Sequence, residues 1–168
     1  MSEVAIAPGE IHAAERPRRE FLTCLLGGET YGIDILKVQE IRELERVTRV
    51  PHVSSFVRGV INLRGAIVPV VDLGLMFGFT EPQVLRGSSA IVLDVDRRLV
   101  GLVVQSVSDV VGLTEDEVKP APDLGDRPIA QALAGIGTRH DADGREDGTS
   151  ILLLDVEHVM RRIREDRE

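Results

Sequence analysis

A chain of 168 residues with 43 % hydrophobic and 29 % charged side chains suits one globular domain, or two small units that share a core. Its net charge of −8 opposes a phosphate-binding footprint, and with no Trp, one Tyr and four Phe it offers no stacking platform for nucleic-acid strands. One cysteine, Cys24, excludes an internal disulfide and fits a reducing, cytoplasmic setting, and no apolar run nears the roughly 20 residues of a membrane span, so neither export nor direct membrane insertion is expected.

Residues 1–19 lack an apolar period and read as a disordered tail. Phe21 to Leu26 reads as a strand, Gly27-Gly28 as its turn and Thr30 to Ile33 as the hairpin partner. From Asp34 the pattern predicts a single turn and then a strand through Ile41. Ser54 or Ser55 is placed to cap a short helical turn after Pro51.

The stretch RGVINLRGAIVPVVDL, Arg58 to Leu73, predicts a hairpin with Asn62-Leu63-Arg64-Gly65 at its tip and a bulge at the glycine. Its second strand is apolar on both faces, which implies burial between two layers, and Pro69 within it marks an edge position or a bulge. Leu73 to Phe79 is a short helix or turn, and Pro82 to Ser88 a loop. Ser89 to Val95 and Leu99 to Val111 form a second hairpin through Asp96-Arg97-Arg98. Thr114 to Glu117 has capping-box spacing. Ile129 to Ile136 is a strand or a short helix, and His140 to Ser150 a polar, acidic loop. Ile151 to Leu154 is a strand, followed by a helix capped by Asp155, with Val156, Val159, Met160 and Ile163 on its inner face.

Sliding the chain by 69 residues lays FLTCLLGGETYGIDILKVQEI over AIVLDVDRRLVGLVVQSVSDV without a gap, so that Leu22 meets Ile91, Gly32 meets Gly101 and Glu40 meets Asp109. Sliding it by 83 lays VVDLGLMF over LLDVEHVM. Two copies of one β-rich unit account for both matches, with the difference of 14 assigned to the acidic loop near His140. Many short strands with Gly and Pro turns point to small barrels.

Catalytic and metal chemistry finds little support. The histidines at 12, 52, 140 and 158 lack ligand spacing, and Asp141, Asp143 and Asp147 fail the calcium-loop order because Arg145 and Glu146 interrupt it. Glycine loops for phosphate and nucleophile elbows are absent, and Cys24 sits among leucines as a buried, inert thiol. Asp94 and Asp109 as a carboxylate pair are the best enzymatic reading, and hairpin charges explain them better. No catalytic residue, metal ligand or cofactor is assigned.

Four stretches carry a resemblance: YGIDILKVQEI (Tyr31 to Ile41), the Arg58 to Leu73 hairpin, VGLVVQSVSDV (Val100 to Val110) and KPAPD (Lys119 to Asp123). Together they resemble the CheW family of chemotaxis coupling proteins, as a stand-alone member with a domain over 20–160 and a C-terminal helix and tail over 156–168. The resemblance implies a mainly β fold of two small five-stranded, SH3-like β-barrel subdomains around a shared hydrophobic core, without enzymatic activity. It implies a monomeric adaptor between methyl-accepting chemoreceptors and the regulatory domain of a CheA-type histidine kinase, held near the inner membrane through receptor arrays. The alternative output is pili, gliding or another non-flagellar system. Carried over by motif position, Val38, Glu40, Gly59, Arg64, Val107 and Val110 are receptor-facing, and Ser88 and Ser89 kinase-facing. On sequence alone Val38, Val107 and Val110 are more often core than contact, Gly59 reads as a backbone bend, and Glu40 with Arg64 as a surface ion pair. The hairpin tip with Arg64 is expected to have no counterpart in the second unit.

Overall fold

The computed structural model describes residues 17–44, 46–79, 88–140 and 145–165, with 146 and 147 described by their backbone alone. The readings for 1–16, for most of the 82–88 loop and for Asp141, Asp143 and Gly144 lie outside the described residues. In chain order the elements are β1 (Arg18–Leu26), β2 (Glu29–Asp34), β3 (Val38–Glu43), β4 (Val57–Leu63), β5 (Ala66–Asp72), α1 (Leu73–Met76), β6 (Ser89–Val95), β7 (Arg98–Val104), β8 (Ser106–Thr114), β9 (Val118–Lys119), α2 (Pro128–Gln131), β10 (Leu133–His140), β11 (Glu146–Leu154) and α3 (Val156–Glu165). The chain is mainly β and ends its described part in a helix, as the pattern predicts.

Local chemistry accounts for the junctions. Asp34 accepts a hydrogen bond from the Leu36 N–H at 3.0 Å and starts the 3-10 turn Ile35–Lys37 that leads into β3. Thr114 and Glu117 form the expected capping box, with the Thr114 N–H donating to Glu117 Oε1 at 2.9 Å. Asp72 and Asp155 accept from the N–H groups of Leu75 and His158, both at 3.1 Å, so each closes a strand and opens a helix. Val156, Val159, Met160 and Ile163 of α3 are all buried, which confirms the predicted inner face.

Two sheets result, one ordered β8-β1-β2-β11-β10-β9 and the other β3-β6-β7-β5-β4. The internal repeat is real at the level of register. Leu22 pairs with Ile33 and Val110 in the first sheet; Ile91, 69 residues on from Leu22, pairs with Leu102 and Ile41 in the second. The parallel ladders repeat as well, Leu153 opposite Gly32 and Val70 opposite Gly101. The sequence units, however, are not the structural units. Strand β3 leaves its own copy to pair with β6, β8 returns to pair with β1, and β5 and β11 lie against β7 and β2 of the other copy. The register also divides the 14-residue difference. Asn62 pairs with Ile67 where Thr138 pairs with Ser150, so half of the insertion lies before β10 and half within the β10–β11 hairpin.

Three clusters fill the interior. Leu22, Cys24, Leu26, Ile33, Ile91, Leu93, Leu102 and α3 form the core shared by both sheets. The opposite face of β6 and β7 (Ala90, Val92, Val103) joins Leu44, Ile61, Leu63, Val68 and Val70 inside the curl of the five-stranded sheet. Phe21, Val111, Leu113, Ile151 and Leu153 do the same for the six-stranded one. Alternation therefore sends successive residues of β6 into two different cores.

Several expectations need correction. Arg18 and Arg19 belong to β1 rather than to a tail: they pair with Thr114 and Leu113, and Arg19 also meets Asp34 at 3.2 Å. Only the second half of β5 is buried on both faces, since Ala66 and Ile67 are exposed. Pro69 is in an interior strand, tolerated because the parallel ladder to β7 begins one residue later, at Val70. The bulge of the β4–β5 hairpin falls between Val57 and Gly59, not at its tip. Residues 54–57 make a turn without helix, with the Val57 N–H donating to the Ser54 carbonyl at 3.0 Å. Ile129 to Ile136 holds both a helical turn and a strand. Finally, residues 146–150 of the expected polar loop are strand, held by antiparallel pairing with β10 through His140–Glu146 and Thr138–Ser150.

Candidate interaction site

The β4–β5 connection is the two-residue loop Arg64-Gly65, with φ of 50° and 90°. Positive φ at both positions matches the strand twist of a hairpin. Asn62 Oδ1 accepts the Gly65 N–H at 2.9 Å and closes the turn. An arginine in this backbone region is held at a cost of about 1–2 kcal/mol that asparagine or glycine would largely avoid. The turn lifts the Arg64 guanidinium so that Nη2 donates to Glu40 Oε2 at 2.8 Å, and Arg42 approaches the same carboxylate at 3.7 Å. Glu40 is on β3 and Arg64 follows β4, the two opposite edges of one five-stranded sheet. The ion pair thus ties together the edges of a sheet that has curled on itself.

Around this pair the predicted receptor-facing residues divide. Val38 is half-buried and packs on the shared core; Glu40 is half-buried too, and Gln39, Ile41, Arg42 and Glu43 are the exposed groups of β3. Val107 is half-buried on the same core from the other sheet, while Val110 is 46 % exposed, as is Ile41, its counterpart in the repeat. Gly59 is buried with φ of 145°, and a Cβ there would enter the Thr48 carbonyl. Its side is therefore closed by the Thr48–Val60 bridge. Ser88 is buried, its carbonyl accepting the Leu44 N–H at 2.9 Å; Ser89 is half-buried between Glu43 and Val104.

By register Arg64 aligns with His140, so the second unit has no arginine at that position, yet it holds an ion pair of the same kind. Asp109, the repeat partner of Glu40, is held by Arg139 at 2.5 Å, from within β10 and one position short of the Arg64 equivalent. The second pair carries an addition. The Thr23 hydroxyl donates to Asp109 Oδ1 at 2.6 Å and accepts the Asp109 N–H at 3.1 Å. The Thr23 hydroxyl first and Arg139 second hold the Asp109 carboxyl below the usual carboxylate range. In the repeat, Val92 stands where Thr23 does, so Glu40 has no such tether. One ion pair is fixed from below; the other is free to exchange partners. Sequence reading missed Thr23, Asp109 and Arg139 as a set because the register of β10 could not be read through the longer hairpin.

Beside it, His140 Nδ1 lies 2.7 Å from Glu117 Oε2. Burial alone would raise the Glu117 carboxyl, but the Thr114 N–H, His140 and the Thr114 hydroxyl outweigh it and hold it low. Burial pushes the Cys24 thiol up to about 12, which leaves no thiolate for chemistry. Asp94 is on the other sheet from the engaged Asp109. Among the described residues no group of three or more His, Cys, Asp or Glu is arranged for a metal, and no helix is long and apolar enough to cross a membrane.

The sequence profile of the CheW-like domain matches residues 20–164. The chain belongs to the CheW-like family. It is 40 % identical over 148 residues to the chemotaxis protein CheW of Klebsiella aerogenes, covering 88 % of this chain and 85 % of that one. It is 33 % identical to the probable chemotaxis protein CheW of Rhizobium etli, covering 72 % and 80 %. The crystal structure of a scaffolding CheW from Thermoanaerobacter tengcongensis superposes with a TM-score of 0.72 at 28 % identity, over 83 % of this chain and 90 % of that one. That likeness, over most of both chains, is one of overall fold.

Proposed function

We propose that the chain is a non-catalytic, cytoplasmic scaffold of a chemotaxis pathway, joining chemoreceptor tips to the regulatory domain of a CheA-type histidine kinase. The names of its relatives favour chemotaxis, and the observation that carries the site is the Arg64–Glu40 pair. The pair joins an exposed arginine in a costly backbone conformation to a carboxylate beside the exposed Ile41. Such a pair contributes only about 0–1 kcal/mol to stability, which is poor return for the strained turn unless a partner uses it. A receptor helix laid along β3 would set an apolar residue against Ile41 and Val38 and a carboxylate or amide against Arg64. Val107 and Val110 would extend that contact onto the second sheet, and Gly59 would act through the backbone bend beneath the hairpin. The kinase domain would meet the start of β6, around Ser88 and Ser89.

The test is receptor capture and receptor-controlled kinase activity in a reconstituted mixture. Arg64→Glu sets two carboxylates face to face and is expected to abolish capture while shifting Tm by no more than about 2 °C, the scale of an exposed pair. Intact receptor binding by that variant would remove the site. Failure of the wild-type protein to bring the kinase under receptor control would remove the function.

A further inference from the structure

A second surface lies away from β3, β4 and β5. The tip of the β6–β7 hairpin and the outer face of α3 enclose a cleft of about 280 Å³, lined by Val95, Asp96, Arg98, Glu157, Met160, Arg161 and Arg164. Its floor is apolar, since Val95 and Met160 are buried members of the shared core. Its rim is formed by three guanidinium groups. Glu157, Arg161 and Arg164 recur along one stripe of α3, beside the buried one that carries Met160.

None of Arg98, Arg161 and Arg164 has an ion-pair or hydrogen-bond partner among the described residues, whereas Glu157 is taken by Lys37 at 3.4 Å. Arg162, between them, is engaged: it donates to the Met76 carbonyl at 3.4 Å and lies over the Phe56 ring. Three unpaired arginines converge on one cleft in a chain of net charge −8. The adjoining turn adds to this. Asp96 and Arg97 hold φ of 52° and 65° where the repeat-equivalent Gly27 and Gly28 hold 60° and 82°. The fold meets this turn without strain elsewhere, and here it spends strain to present a fourth arginine.

We propose that this cleft binds an acidic peptide segment of a partner protein, with carboxylates on Arg98 and Arg161 and an apolar side chain seated between Val95 and Met160. The apolar floor and the carboxylates of Asp96 and Glu157 disfavour a multiply charged phosphate and suit a chain that alternates acidic and aliphatic residues. Withdrawal from water along the floor strengthens each guanidinium–carboxylate contact.

The probe is a fluorescein-labelled hexapeptide of sequence Glu-Leu-Glu-Asp-Leu-Glu, titrated against the full chain by anisotropy. The wild-type protein is expected to bind it, and Arg98→Ser/Arg161→Ser to bind it at least about tenfold more weakly, with an unchanged circular-dichroism spectrum because both side chains are exposed. Raising salt from about 0.05 to 0.5 M weakens wild-type binding several-fold. Replacing the leucines of the probe by serine does the same. The surface control Arg46→Ser/Arg49→Ser and the receptor-site variant Arg64→Glu leave binding intact, which separates this cleft from the proposed receptor site. A flat wild-type titration to about 1 mM, equal loss in the Arg46/Arg49 control, or binding of phosphatidylglycerol vesicles without binding of the peptide overturns the proposal.

Discussion

Replacing Thr23 by valine isolates the tether beneath Asp109. Thr23 is 1 % exposed, and its hydroxyl serves Asp109 three times, at Oδ1 (2.6 Å), the carbonyl oxygen (3.0 Å) and the N–H (3.1 Å). One proton cannot serve two acceptors at full strength, so the network amounts to about two good hydrogen bonds. Valine has the same shape and already fills the equivalent place at Val92, so no cavity or clash is expected. The remaining loss is about 1–2 kcal/mol, a fall in Tm of about 2–8 °C for a domain of this size. The Arg139 pair cannot compensate, because its side chains are 39 % and 49 % exposed and such pairs contribute little. The sign with pH follows from the depressed Asp109 carboxyl. Its stabilisation is fully present above the unfolded value, about 3.9, and is lost as pH falls through the lower folded value. Urea titrations at pH 7 and in strong acid should therefore show a gap between wild type and Thr23→Val that narrows in acid, with Thr23→Ser restoring most of it. Equal stability at pH 7, or a gap that widens in acid, refutes the reasoning.

Gly59→Ala should destabilise the protein by about 1–3 kcal/mol from backbone strain alone, with the clash against Thr48 added, as read by chemical denaturation. Cys24 should resist an aromatic disulfide reagent at pH 8 in the folded protein and react only on unfolding; rapid modification of native protein would contradict its burial. Arg64→Asn should leave stability unchanged or raise it by up to about 1 kcal/mol, because relief of the positive φ offsets a lost surface pair, yet receptor capture should fall.

Much of the fold was legible because its signals are local. The alternation in Ser89 to Val95, the Asp72 and Asp155 caps, and the α3 stripe each state their own structure, and the repeat ties distant segments to one template. Strand exchange was not legible. Whether β3 turns back on β2 or crosses to β6 depends on which sheet offers a matching edge, and the apolar pattern of Val38 to Ile41 fits both. Composition misled at the end of β10, where polar residues stay in strand because the antiparallel ladder to β11 runs on to His140–Glu146. At the site, the surface ion pair of Glu40 with Arg64 that the sequence offered is present at 2.8 Å. The sequence hid the second ion pair, since the β10 register that brings Arg139 near Asp109 shows only once the insertion is split across β10.

The exchange of strands gives the two ion pairs their meaning. Each curled sheet is built from both copies, so neither copy alone completes a sheet: β3 has its ladder with β6, and β8 with β1. The edge strands that carry Glu40 and Asp109 are therefore the crossings between halves, and a force on one edge is delivered to both cores. A crossing of that kind must be anchored somewhere. Thr23 and Arg139 anchor the β8 crossing through hydrogen bonds that include a buried hydroxyl. Among the described residues, the side chains that hold Glu40 on the β3 crossing are the exposed Arg64 and Arg42. From one duplicated unit the chain has thus made one fixed hinge side and one adaptable side. On the proposed function, the adaptable side is where an incoming receptor helix would trade for Arg64 at little cost to the fold, while the anchored side keeps the second sheet in place beneath it.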